Sequence, residues 1–152
     1  MILSDTNIFL EILLKQKKSD ICKAFLDNNS SSLFISDFSL HSIGLILLKC
    51  NALDVFRKFL NDTLATLRIS SLPTNAYESL IDAAQKVTLD FDDAHQHAIA
   101  KNFNLKIATM DQDFKRVDDI DIIFYETCST IVANHLAAPW PRPRRDIGRV
   151  SV

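Results

Sequence analysis

Short apolar runs alternate with stretches in which apolar residues recur every three or four positions, and each run is cut off by a polar or acidic residue. Ile2-Leu3-Ser4 is the first run. Asp5-Thr6 follows, with Thr6 placed to cap a helix whose apolar positions Ile8, Phe9, Ile12 and Leu13 keep helical spacing. A second helix is expected around Ile21 to Leu26, ended by the polar run Asp27-Asn28-Asn29-Ser30-Ser31-Ser32. Leu33-Phe34-Ile35 reads as a buried strand, with Ser36 or Asp37 capping a helix that runs to about Lys49. Ala52 to Leu60 reads as helix, Thr66 to Ile69 as a strand, and Asn75 to Lys86 as a helix placed after Pro73. The last third repeats the pattern: Asp92 caps a helix through about Asn102, and Leu105 to Ala108 and Ile120 to Phe124 form strands.

Strands alternating with helices imply an α/β fold in which a parallel sheet is covered on both faces. Functional groups in such sheets lie beyond the carboxyl ends of the strands, where the strand order reverses. The pattern holds over residues 1–125. Residues 126–152 differ: Pro139-Trp140-Pro141-Arg142-Pro143-Arg144-Arg145 is Pro-spaced and basic, and reads as an extended, partly disordered C-terminal extension.

The 152 residues suit one domain with a substantial core, and a 47% hydrophobic, 24% charged composition is that of a globular protein. A net charge of −2 gives no bulk attraction to polyanions, so a nucleic acid would need a local basic patch or metal ions to hold it. Cys22, Cys50 and Cys128 are odd in number and widely spaced, which disfavours both structural zinc and a disulfide framework and suits a reducing, cytoplasmic setting. With only Gly44 and Gly148, the chain has no Gly-rich phosphate loop. No apolar stretch reaches the length of a membrane span, so no membrane partner is expected.

The acids carry the chemistry. Asp5 ends the first apolar run, Asp90, Asp92 and Asp93 cluster at a helix start, and Asp111 and Asp113 follow Ile107-Ala108-Thr109-Met110. If the fold gathers four of them, each pair repels by about 1 kcal/mol in water and several-fold more in a partly dry cleft. A divalent cation relieves that repulsion, and Mg²⁺ and Mn²⁺ prefer such hard oxygen donors. Cations so held assist in-line phosphodiester hydrolysis without a histidine or serine nucleophile.

The order of these segments resembles the PIN domain, the nuclease fold of VapC-type toxins in toxin–antitoxin systems. Ile2-Leu3-Ser4-Asp5-Thr6-Asn7-Ile8-Phe9 is similar to its opening motif, Asp92-Asp93-Ala94 with Ala98 and Ala100 to its third, and Thr109-Met110-Asp111-Gln112-Asp113-Phe114 to its fourth. The resemblance implies a three-layer α/β/α PIN-like domain with a central, mainly parallel sheet over residues 1–125. It further implies a Mg²⁺- or Mn²⁺-dependent ribonuclease in which Asp5, Asp93 and Asp111 bind metal, Asp113 supports them, and Thr109 orients one of them. A small antitoxin protein and a homodimer are the partners it implies, beside the RNA substrate. In the second motif the family commonly carries a glutamate where this chain has Ser42, with Asp37 and His41 the nearest residues able to substitute.

Other readings stand beside this one. Asp5 and Asp92 or Asp93 are also what turns and helix caps use, and the missing glutamate fits a module that binds RNA or a protein without cutting. A phosphatase with Asp5 as nucleophile would ordinarily carry a second acid two residues on, where this chain has Asn7. Asp90 reads as a loop residue and His97 as a solvated position one turn after Asp93, while His95 and His135 lack a partner pattern. The nearly all-round apolar stretch Ile43, Leu45, Ile46, Leu47 and Leu48 suits a helix buried between the sheet and a partner surface. Lys15, Lys17, Lys18, Lys101 and Lys106 are candidates to rim a polyanion cleft, and Trp140 with Arg142, Arg144, Arg145 and Arg149 to contact RNA.

Overall fold

The computed structural model describes residues 1–125, so Cys128, His135 and the basic, Pro-spaced extension lie outside the described residues. Five strands, β1 (Ile2–Ser4), β2 (Leu33–Ser36), β3 (Arg68–Ser70), β4 (Lys106–Thr109) and β5 (Ile122–Phe124), form one sheet in the order β3-β2-β1-β4-β5. Every pairing is parallel. Six helices connect them: α1 (Thr6–Leu13), α2 (Ser19–Asn29), α3 (Asp37–Lys49), α4 (Leu53–Asp62), α5 (Tyr77–Asp82) and α6 (Phe91–Phe103). This is the three-layer α/β/α arrangement expected from the alternating pattern.

The order explains where a site can form. From β1 the chain steps outward through β2 to β3, then returns to the other side of β1 for β4 and β5, so the strand order reverses between β1 and β4. Side chains alternate faces along each strand and fill two cores. Ile2, Ile35 and Ala108 face α1 to α4, where Phe9 and Phe59 meet edge-to-face with ring centroids 5.6 Å apart. Leu3 and Ile107 face α5 and α6, against Leu80, Ala98 and Ile99. The small residues Ala94, Ala98 and Ala100 are wholly buried and let α6 lie close on the sheet.

Several boundaries moved for local reasons. Thr66 is not in a strand: its hydroxyl donates to the Thr63 carbonyl at 2.8 Å, winding Leu64–Thr66 into a 3-10 turn, and β3 begins at Arg68. The polar run after Leu26 does not end α2, which continues to Asn29, whose side chain donates to the Phe25 carbonyl at 2.8 Å. The helix expected over 75–86 is split into a 3-10 turn, α5, and a π-helical turn at Ala83–Val87. The cap of α1 is Asp5 rather than Thr6, and that of α6 is Asp90 rather than Asp92, with the Asp90 carboxylate accepting from the Asp93 N–H at 2.9 Å. Ser36 caps α3 as expected, accepting from the Ser39 N–H at 2.8 Å. The apolar stretch of α3 divides: Ile43, Ile46 and Leu47 enter the core, while Leu48 is 48% exposed.

Phe9 is 1% exposed and spans from α1 to α4. Phe9→Ala is expected to cost about 3–5 kcal/mol of unfolding free energy. Urea denaturation checks this, and an unchanged midpoint would contradict the packing described.

Candidate functional site

β1 and β4 end side by side, and the chain continues their pairing one residue further: the Asp5 N–H donates to the Ala108 carbonyl at 2.9 Å. That bond fixes Asp5 against the end of β4, where Thr109 is fully buried. The Thr109 hydroxyl donates to Asp5 Oδ2 at 2.6 Å, and Asn7 Nδ2 donates to the same oxygen at 2.6 Å. Gln96, one helical turn beyond Asp93 on α6, donates to Asp5 Oδ1. Thr109 Oγ1 also accepts from the Asp111 N–H at 2.9 Å, so one hydroxyl aligns Asp5 and sets the start of the turn carrying Asp111 and Asp113.

Asp111 caps that turn by accepting from the Asp113 N–H at 2.8 Å, and Asp113 Oδ1 receives Arg116 at 2.8 Å. Carboxylate oxygens of Asp93, Asp111 and Asp113 lie within 4.8 Å of one another. A cavity of about 110 Å³ opens over them, lined by Asp5, Asp93 and Asp111 together with Asn7, Gln96 and Ser42. The four acids named from the sequence are thus brought together, three lining the cavity and Asp113 at its exposed edge.

Electrostatics follow from crowding like charges out of water. Asp5 is 5% exposed; burial, with a smaller push from Asp111, raises its carboxyl to about 6, against the opposing hydrogen bonds from Thr109 and Gln96. Asp93 is 7% exposed and rises to about 9, through burial first and then the charges of Asp5, Asp90, Asp111 and Asp113. Three hard carboxylates with closely set oxygens, of which Asp113 alone is shared with a cation, the Arg116 guanidinium at 2.8 Å, are a donor set that fits Mg²⁺ or Mn²⁺.

Other expectations fare differently. Ser42 lines the cavity, but Asp37 and His41 line an apolar groove between α3 and α4 instead, so neither takes the place of an acid at residue 42. Asp90 and Asp92, read from the sequence as loop and cap, line the cavity wall. His97 is not solvated: it is 3% exposed, with Nε2 2.7 Å from Asp119 Oδ1. Lys101 pairs with Asp119 and Lys106, at the start of β4, with Asp121, so both sit toward the amino end of the strands rather than on the cavity rim. Lys15, Lys17 and Lys18 follow α1, which runs back from the site for about 12 Å. Asn7 and Gln96 were not singled out as site residues; the spacing of Gln96 three residues after Asp93 was the available signal.

With this geometry the chain can be placed. It belongs to the PIN domain family, whose model matches residues 2–120. Solved structures of similar fold include a toxin–antitoxin complex from Klebsiella pneumoniae, with a TM-score of 0.68, 21% identity, and coverage of 84% of this chain and 100% of that one. VapBC2 from Rickettsia felis bound to a DNA fragment from their promoter gives a TM-score of 0.71 at 17% identity, covering 83% and 100%. VapC20 from Mycobacterium tuberculosis, a sarcin–ricin loop cleaving toxin, gives 0.61 at 14%, covering 76% and 93%. No curated protein matches the sequence.

The raised Asp93 carboxyl has a definite consequence for metal-free protein. Below pH about 4 Asp93 is protonated folded or unfolded; as pH rises toward about 9 the unfolded chain ionises it freely while the folded chain resists, so the fold loses stability across that window. Asp93→Asn removes the penalty and is expected to raise the melting temperature in EDTA at pH 8 by roughly 5 °C or more. Equal melting of the two proteins at pH 8 would contradict the crowding.

Proposed function

We propose that this protein hydrolyses RNA phosphodiester bonds with Mg²⁺ or Mn²⁺ held by Asp93 and Asp111, Asp5 completing the set from the buried side and Asp113 from the exposed side. The observation that carries the reading is the convergence of these carboxylates, from three separate segments, on one cavity at the strand-order reversal. When bound, the cation supplies neutralisation of the scissile phosphate and acidifies a water. The chain's own residues do the positioning. Thr109, Asn7 and Gln96 hold Asp5 in place and favour its ionised form, and Arg116 steadies Asp113.

A toxin role with a small antitoxin partner is part of the same proposal. It is supported by the solved neighbours that are toxin–antitoxin complexes, and by an apolar groove on this chain lined by Leu40, Gly44, Leu45, Leu48, Leu53 and Phe56, the kind of surface an amphipathic partner helix covers. We further propose a homodimer, for which the exposed Tyr77 and Ile81 of α5 provide apolar surface, and a cytoplasmic setting, which suits the free thiols Cys22 and Cys50. Among the described residues no helix is long and apolar enough to cross a membrane. The basic extension of residues 126–152 is proposed as an appendage to the nuclease domain of residues 1–125.

Ser42 favours a second reading, a module that binds RNA or a protein without cutting, because the cavity wall lacks a carboxylate at that position. Asp90 and Asp92 give the wall two other acids, which is why cleavage is preferred.

Incubation of a mixed RNA pool with Mn²⁺ is expected to yield fragments that EDTA abolishes and that Asp93→Asn and Asp111→Asn reduce at least 100-fold. Cleavage that persists in EDTA, or in both variants, refutes the proposal. Ser42→Glu separates the two readings: cleavage appearing only in that variant marks the natural protein as the non-cutting module.

A further inference from the structure

The basic extension is a sequence motif that the proposed chemistry leaves unused, and the point where it leaves the domain is fixed. β5 runs parallel to β4 with Phe124 opposite Thr109, and one residue on the Tyr125 N–H donates to the Thr109 carbonyl at 2.9 Å. The Tyr125 ring meets that of Phe25 on α2, with centroids 4.9 Å apart. Thr109 is also the residue whose hydroxyl holds Asp5, so residue 126 starts at the strand edge on which the acidic cavity opens. Seventeen residues separate Tyr125 from Arg142, a reach of up to about 60 Å, against a radius of gyration of about 14 Å for a domain of this size. The cavity is within range.

Charge is divided between the two parts of the chain. Of the 17 lysines and arginines four follow residue 125, and of the 19 aspartates and glutamates only two, so residues 1–125 carry −4 and the extension +2. The acids are concentrated where the extension emerges: Asp5, Asp90, Asp92, Asp93 and Asp111 line the cavity, and among the described residues no lysine or arginine does. Gln96, 3% exposed and also in the lining, leaves its Oε1 without a donor among the described residues. The cavity therefore offers carboxylates and a spare amide acceptor, and a guanidinium carries five N–H donors that suit both. Arg142, Arg144 and Arg145 supply three such groups, and Pro141 and Pro143 limit the conformational entropy that docking them would cost. Phe38 and Ile46 give the same cavity an apolar wall for an arginine's methylene stem.

We propose that Arg142, Arg144 and Arg145 dock in the acidic cavity of their own chain when no divalent cation fills it, and that a cation displaces them. The extension is thereby a tethered competitor of the cation. This goes beyond the nuclease reading, since it needs the acidic cavity and its cation but not the cleavage of RNA. A segment tethered at millimolar effective concentration and held weakly lowers the apparent cation affinity roughly tenfold.

Trp140 lies two residues before Arg142 and is the only tryptophan in the chain, so acrylamide quenching of its fluorescence reads docking directly in the full protein. In EDTA at low ionic strength Trp140 is expected to be shielded. Saturating Ca²⁺, or the triple variant Arg142→Glu/Arg144→Glu/Arg145→Glu, should raise its quenching constant. Asp90→Asn combined with Asp92→Asn leaves Asp93 and Asp111 in place and keeps a capping side chain at residue 90; it should release Trp140 without lowering the melting temperature. Calorimetry should show the triple arginine variant binding Ca²⁺ roughly tenfold more tightly than wild type. Equal quenching of wild type and the arginine variant overturns the proposal, as does shielding that survives saturating Ca²⁺ or the Asp90 and Asp92 changes. Shielding lost on dilution also overturns it, giving the arginines to a second copy of the chain, and shielding that appears only with added RNA gives them to the nucleic acid. Failure of wild type and the arginine variant alike to bind Ca²⁺ overturns the displacement together with the cation reading of the site. If wild type cuts RNA with Mn²⁺ while Trp140 stays equally quenched throughout, only the docking fails.

Discussion

Asp5 is a carboxylate taken out of water and held there by three side-chain donors, Thr109, Asn7 and Gln96, from β4, α1 and α6. The rest of the site depends on this arrangement. Burial alone would drive Asp5 protonated; the donors offset part of that cost, and they also fasten two strands and two helices to a single point. Thr109 is the hinge of the network, since its one hydroxyl proton goes to Asp5 while its oxygen receives the Asp111 amide. Asp93 is treated differently: among the described residues its carboxylate is given no such set of donors, and it faces four other acids. One acid is anchored and another is held at high electrostatic cost. A bound cation would relieve that cost.

The parallel sheet supplies the geometry almost without cost in chain length. β1 has three residues and β4 four, yet their ends deliver Asp5, Thr109 and Asp111 to one place because the strand order reverses between them. α6 contributes Asp93 and Gln96 from the same face, and the alanines beneath bring that face within hydrogen-bond reach of Asp5. Stability and function pull against each other here. On the proposed function, Asp93 would cost the empty fold stability while serving the chemistry, a trade-off common at functional sites.

Much of this was legible in the chain. The apolar runs located β1, β2 and β4 closely, because a buried parallel strand admits few polar residues, whereas β3, Arg68-Ile69-Ser70, is largely exposed and was placed only by overlap. Three separated acidic motifs located the cavity, since each lies just beyond an apolar run or at a helix start. Less legible were features decided by contacts distant in sequence. Asn7 and Gln96 are ordinary amides until Asp5 is placed between them. His97 reads as a polar surface residue until Asp119, distant in sequence, closes over it. Asp37 and His41 sit near Ser42 in the chain but on the other side of α3, a consequence of helical rotation that shifts a neighbour by 100° per residue. The strand boundary at Thr66 was lost to a local hydroxyl-to-carbonyl bond that periodicity does not register.

The central claim is that the acids form a cation site whose carboxylates are partly protonated when empty. Calorimetric titration of Mn²⁺ into the full chain at neutral pH, repeated in two buffers of different ionisation enthalpy, tests it directly. The account predicts saturable binding with about one proton released per ion, seen as a heat that differs between the buffers. The same heat in both buffers, or no saturable binding, would contradict it.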